Sequence, residues 1–270
     1  LHTVCEEAHC PNIHDCWSRG TATFMIAGKA CTRGCRFCAV ATVRNPPPPD
    51  RDEPGNLADA IESMGLTYAV ITVVNRDDME DGGASHYRQC LDAVHQRLPE
   101  VSLELLCSDL SGNLEALESL LDNAPLQVFA HNVETVRRLT PRVRDPRATF
   151  EQSILILKKA KELRPDIMTK SSIMLGLGET EEDIIETFSE LRNAKADLLT
   201  LCQYLAPGPG YLPVVSFPNP ESFDRLANIA KEMGFRAIAS GPMVRSSYRA
   251  ESLVAAANGQ TFDSELKVVA

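Results

Sequence analysis

Short apolar runs alternate with helix-period segments between residues 22 and 234, and this rhythm limits the possible folds more than any other feature. The strand candidates are residues 22–28, 68–74, 102–108, 126–132, 168–175 and 198–205. Helical patterns fill the intervals at 56–65, 86–98, 113–124, 150–163 and 181–194, and another at 221–234 follows the sixth strand. Such alternation implies parallel strands joined by right-handed crossovers. Six units suit an α/β fold, a partial (β/α)6 barrel of the TIM type. A doubly wound open sheet is the alternative, and periodicity does not separate the two.

Two segments fall outside the rhythm. Residues 1–20 are polar and cysteine-rich, and the tail beyond residue 240 carries VRSSYRA. The expected organisation is an N-terminal extension over 1–20, a barrel over 21–240 and a C-terminal segment over 241–270, all in one compact domain. The PPPP stretch at 46–49 reads as a stiff loop rather than a linker.

A net charge of −10 argues against nucleic acid as a partner, because phosphate binding needs clustered Lys and Arg. No apolar run approaches the roughly 20 residues that span a bilayer, and no signal-peptide pattern is visible, so no membrane partner is expected. Nine cysteines remain to be explained. A disulfide framework suits small domains without a core, and this chain is too large to need one. Six of the nine fall within residues 5–38, which points to a metal or cluster site in a reducing compartment. The cytoplasm is the expected location, and the sequence does not separate it from an organelle matrix. Cys90, Cys107 and Cys202 stand singly and read as small buried hydrophobes.

CTRGCRFCAV places Cys31, Cys35 and Cys38 in one loop after the first strand, with Phe37 before the last thiol. Structural zinc closes with four ligands, and no fourth Cys or His follows closely here. A [4Fe-4S] cluster takes one thiolate per iron, so three thiolates leave one iron open to a ligand that is not protein. Upstream, Cys5, Cys10 and Cys16 form a second set of three. His9 or His14 completing a zinc site is the competing reading there.

The CxxxCxxC spacing after a first strand, with its aromatic, resembles the radical S-adenosylmethionine superfamily. Two three-cysteine sets, NRDDMEDGGA (75–84), HNVETV (131–136), KSSIMLGLGET (170–180), QYL (203–205) and GPMVRSSYRA (241–250) together resemble the lipoyl synthase family over nearly the whole chain. Departures are Thr72, Val73, Val74 and Asn75 before the Arg-Asp-Asp, Ala130, Cys202, and APGPGY (206–211) in place of a more basic stretch.

The resemblance implies a sulfurtransferase with two [4Fe-4S] clusters and S-adenosylmethionine. Reductive cleavage of that cofactor would give a 5′-deoxyadenosyl radical, which takes hydrogen from C–H bonds beyond the reach of any side-chain base. Sulfur would enter at C6 and C8 of an octanoyl chain on a carrier lysine. Cys31, Cys35 and Cys38 would hold the first cluster. Cys5, Cys10, Cys16 and Ser247, with Ser246 as fallback, would hold the second, the sulfur donor. The implied partners are an octanoylated lipoyl-domain protein or glycine-cleavage H-type carrier, an electron donor such as ferredoxin or flavodoxin, and an iron–sulfur carrier protein.

Cofactor contacts are expected where barrel strands end. The candidates are Phe37, Asn75, Asp77, Asn132, Glu134 and Lys170, with Arg76, Ser171 and Gln203 nearby. The Gly82–Gly83 pair suits either close cofactor approach or a plain turn. RRLTPRVRDPR (137–147) offers a basic dock for an acidic carrier. Both cysteine sets are expected to face one cavity. The alternatives are a methylthiolating radical enzyme with an auxiliary cluster, and a non-catalytic iron–sulfur or zinc protein.

Overall fold

The computed structural model describes residues 2, 3, 5, 10–260, 268 and 269. Its sheet has seven parallel strands: β2 (Thr21–Ile26), β5 (Tyr68–Val73), β6 (Ser102–Leu106), β7 (Val128–Ala130), β8 (Met168–Leu175), β9 (Leu198–Gln203) and β10 (Ala237–Ser240). Short strands β1 (His2–Thr3) and β11 (Val268–Val269) pair antiparallel on its two edges. A separate two-stranded sheet joins β3 (Ala30–Cys31) to β4 (Ala41–Thr42).

The helices are α1 (Ile13–Ser18), α2 (Glu53–Ser63), α3 (Ala84–Arg97), α4 (Leu114–Leu121), α5 (Thr140–Val143), α6 (Phe150–Leu163), α7 (Glu181–Asn193), α8 (Pro220–Glu232) and α9 (Ala250–Ala257). Six βα units are therefore present, as the periodicity predicts. The seventh parallel strand and α9 add to that expectation. Ala237–Ser240 is only four residues long and fully buried, so it shows no alternation of polar and apolar residues.

Strand alternation divides the core. On β5, Ala69 and Ile71 face the helical layer, while Tyr68 and Val70 face inward. On β9, Leu199 and Leu201 face outward, and Leu198 and Cys202 face inward. Leu253, Val254 and Ala256 of α9 pack on the inward residues.

Local signals fix the helix starts. Thr149 caps α6 through Gln152 N–H, and Asn219 caps α8 ahead of Pro220. Thr180 and Asp183 form a reciprocal capping box on α7. Thr180→Ala is expected to cost about 1 kcal/mol, read as a lower urea midpoint with an unchanged slope. The Gly82–Gly83 pair belongs to the turn before α3. Gly83 has φ +94°, and a Cβ there would lie 2.6 Å from the Tyr87 ring.

Candidate functional site

The first cysteine loop is held by residues distant in sequence. Thr32 donates its backbone N–H to Asn75 O (3.0 Å) and its hydroxyl to Asp77 (2.7 Å). Arg33 reaches Asp77 (2.7 Å) and Asp109 (2.6 Å) through separate guanidinium nitrogens. Gly34 N donates to Asp145 (2.9 Å), and Arg36 N to Val143 O (2.9 Å). Two backbone N–H groups point at sulfur, Arg33 N at Cys31 Sγ and Asp145 N at Cys35 Sγ, each at 3.4 Å. Burial pushes the Cys35 thiol up and the Cys38 thiol up to about 11.

These three cysteines line a cavity of about 230 Å³ at the C-terminal ends of the strands. Phe37, Asn75, Asn132 and Glu134 line it as well. Glu134 sits at φ +67°, a conformation that costs a non-glycine residue and persists where surroundings fix it. Its N–H donates to Ser172 O and its carbonyl accepts from Met174 N. Burial raises its carboxyl, opposed by the nearby Arg144 charge and a hydrogen bond from Asn132.

Two candidates lie elsewhere. Lys170 is the third residue of β8, low in the barrel, and its Nζ donates to Glu104 (2.8 Å). Glu104 also accepts from Tyr68 OH (2.9 Å), so Lys170 belongs to a buried polar triad. The sequence places it on the right strand, but side chains at that height face the barrel floor. Asp77 does not line the cavity. Its carboxylate accepts from Thr32, Arg33, Ser111 and Arg147, and so braces the cysteine loop from behind.

Arg144 is the residue that sequence reasoning placed wrongly. It lines the cavity and is only 8% exposed. Its Nη1 donates to Ser153 (2.6 Å), and its buried Nε has no partner. The other arginines of the run are largely committed: Arg137 to Glu151 and Glu190, Arg138 to Asp183, and Arg147 to Asp145 and Asp77. Of the five, only Arg142 is exposed and outside these ion pairs, so little of the run's charge is left for a basic dock.

The second cysteine set joins the two ends of the described chain. Cys5, Cys10 and Cys16 line a small cavity with Thr21, Thr23, Arg245 and Ser247. Thr23 donates to Ser247 Oγ (2.9 Å), and Arg249 clamps Asp15 through Nε (2.7 Å) and Nη2 (3.0 Å). Asn12 donates to Met243 O (2.8 Å). Burial raises the Cys16 thiol to about 11. Ser246 does not line this cavity, and His14 is exposed and lies off it. His9 lies outside the described residues.

The two cysteine sets line neighbouring cavities that have no lining residue in common. They share one face of β2: Thr21 and Thr23 line the second and Met25 the first. Residues two apart on a strand stand about 7 Å apart.

The donor sets fit iron–sulfur clusters better than zinc. Neither triad brings its three sulfurs within 4.8 Å of one another, among the described residues. Tetrahedral zinc with bonds of about 2.3 Å would hold them about 3.8 Å apart. A four-iron cube puts each thiolate on a different iron and spreads the sulfurs wider.

Residues 25–191 match the family model of the radical SAM superfamily. The fold agrees with solved structures. The FeFe-hydrogenase maturase HydG from Carboxydothermus hydrogenoformans superposes with TM-score 0.61 at 16% identity, over 79% of this chain and 51% of that one. Methylornithine synthase (PylB) gives 0.54 at 16%, over 72% of this chain and 56% of that one. The protein is thus a radical S-adenosylmethionine enzyme.

Sequence relatives narrow the class. The lipoyl synthase of Marinobacter nauticus is 54% identical over 251 residues, 93% of this chain and 72% of that protein. That of Thermus thermophilus is 54% identical over 93% of this chain and 77% of its own length. The chloroplastic lipoyl synthase of Arabidopsis thaliana is 54% identical over 94% of this chain and 65% of its own. The chain belongs to the lipoyl synthase family. It is therefore a sulfurtransferase that uses S-adenosylmethionine and two [4Fe-4S] clusters. No described helix is long and apolar enough to cross a membrane.

Proposed function

We propose that this chain inserts two sulfur atoms, at C6 and C8 of an octanoyl group on a carrier lysine, and so forms the lipoyl group. The observation that supports the reading is the pair of neighbouring three-thiol cavities, one of them also lined by Ser247. Cys31, Cys35 and Cys38 hold the cluster that binds S-adenosylmethionine. Cys5, Cys10, Cys16 and Ser247 hold the cluster that supplies sulfide. Bound there, the clusters and cofactor supply the electron, the carbon radical and the sulfur.

The chain's own residues bind and orient. Glu134 and Asn132 present oxygen and amide groups suited to ribose hydroxyls or an ammonium. Arg144, held by Ser153, lines the cavity, carries an unpartnered donor in Nε and suits the methionine carboxylate. Asn75 and Phe37 complete the wall. Ser247 offers a hard oxygen to soft cluster iron, a ligand that leaves more readily than thiolate. The extensions 1–20 and 241–270 act as one unit with the barrel, because the second cavity needs both.

The carrier is an octanoylated lipoyl-domain or H-type protein. A ferredoxin or flavodoxin supplies electrons, and an iron–sulfur carrier rebuilds the spent cluster. A reducing compartment, cytoplasm or organelle matrix, suits all three.

The deciding experiment is anaerobic reconstitution followed by mass spectrometry of an octanoyl-lysine peptide with reductant and S-adenosylmethionine. The expected product carries two added sulfurs. A methylthio product, or none, would overturn the reading. Arg144→Met is expected to raise the S-adenosylmethionine KM about 10- to 100-fold, the worth of one charge-assisted contact. Its iron content should match wild type.

A further inference from the structure

One cluster of ligating side chains lies apart from both triads and has no part in the reaction. Glu53, the first residue of α2, places Oε2 2.5 Å from His86 Nε2. Cys90 stands one turn beyond His86 on α3, with Sγ 3.8 Å from the same nitrogen. Carboxylate, imidazole and thiol atoms all lie within 4.8 Å of one another, the one such group among the described residues.

A hydrogen-bonded pair accounts for Glu53 and His86 alone. Both Glu53 and Cys90, however, address one imidazole nitrogen, and a single N–H proton serves one good acceptor. A metal ion takes all three. Zinc bonds of about 2.0–2.1 Å to nitrogen and oxygen and 2.3 Å to sulfur set N···S near 3.6 Å and N···O near 3.3 Å. The His86–Cys90 spacing already approaches the first figure. Glu53 needs to move by less than about 1 Å to reach the second. Mixed sulfur, nitrogen and oxygen donors suit zinc rather than magnesium or calcium. A neighbouring cavity of about 350 Å³, lined by Asp50, Met25, Ala27 and Pro46, reaches Glu53 and gives an ion a route and a water ligand.

We propose that Glu53, His86 and Cys90 form a binding site for a zinc-class divalent cation, with water as the fourth ligand. The ion replaces the proton between carboxylate and imidazole and takes Cys90 as thiolate, and both protons pass to solvent. Its position gives it leverage on the first cysteine loop. Glu53 Oε2 accepts from Ala27 N (2.7 Å), and Ala27 O accepts from Arg76 Nη1 (3.0 Å). Ala27 follows the last residue of β2 at φ +68°, four residues before Cys31. An ion here fixes the root of that loop. The site does not rest on the sulfur-insertion reading.

The test uses the full chain with both clusters reconstituted, dialysed against chelator-buffered zinc chloride. Metal analysis should find about one zinc per chain above the cluster iron, and zinc-edge X-ray absorption a shell with a single sulfur. Cys90→Ala and His86→Gln should each weaken zinc binding at least about tenfold, with iron content unchanged. Should His86→Gln not fold, Cys90→Ala and Cys90→Ser carry the comparison. Three results would each overturn the site: no retained zinc, a shell with three sulfurs, or wild-type zinc affinity in the Cys90 variants.

Discussion

A Cys35→Ala variant, reconstituted anaerobically, is expected to keep about four irons per chain instead of about eight, because each cysteine triad serves one four-iron cluster. It should release no 5′-deoxyadenosine above background. Cys10→Ala should show the mirror pattern: about four irons, near-normal release of 5′-deoxyadenosine, and no sulfur in the product. The separation follows from the two cavities. They have no lining residue in common, and each has its own supports, Asp77, Asp109 and Asp145 for one and Arg249 with Asp15 for the other. Both clusters are needed for product, since carbon radical and sulfide have different sources. Iron analysis and product chromatography on the two variants provide the check. Wild-type sulfur yield from Cys10→Ala would remove the second triad as donor. Loss of both clusters from either variant would show that the sites do not load independently.

Much of this arrangement was legible in the sequence, for reasons that differ by element. Met168–Leu175 is long enough to stand out between two helical patterns, and the amphipathic helix Phe150–Leu163 carries enough periodicity; both are placed to the residue. Ala237–Ser240 and α9 carry too little, being short and, in the strand, uniformly buried. Thiol spacing revealed both cysteine sets, because ligand geometry constrains sequence directly. The same cannot hold for Arg144. Within a run of five arginines nothing local marks the one that turns inward, and its partner Ser153 lies on the following helix. Lys170 failed for a related reason: pattern identifies a strand and a face, but height along the barrel depends on register with its neighbours, here Ala130 and Leu198. The Glu53–His86–Cys90 cluster was equally hidden, since it joins two helices and its cysteine reads as an ordinary buried hydrophobe.

Arg33→Met is expected to lower the stability of the cluster-free chain by about 3–5 kcal/mol, because it strands a buried carboxylate. Asp109 is 1% exposed and Arg33 3%, and their 2.6 Å contact lies wholly inside the protein. At about 2–4 °C per kcal/mol for a chain of this size, the melting temperature should fall by about 10 °C. The pair also has a pH signature. Burial alone would raise the Asp77 and Asp109 carboxyls, but hydrogen bonds and charge from Arg33 outweigh it and hold both below the usual carboxylate range. A depressed folded-state value means the unfolded chain binds more protons near pH 4, so this stabilisation is present above that pH and is lost as pH falls further. Wild type should therefore lose stability more steeply below pH 4 than a Arg33→Met, Asp109→Leu double variant. That double variant should recover most of the single variant's loss, since replacing a whole buried pair by apolar groups is close to neutral. Iron loading at the first triad should stay impaired in both variants, because Asp77 loses its grip on the loop between Cys31 and Cys35. Melting within 2 °C of wild type for Arg33→Met would mean that the aspartates are solvated and the loop is held by its backbone contacts alone.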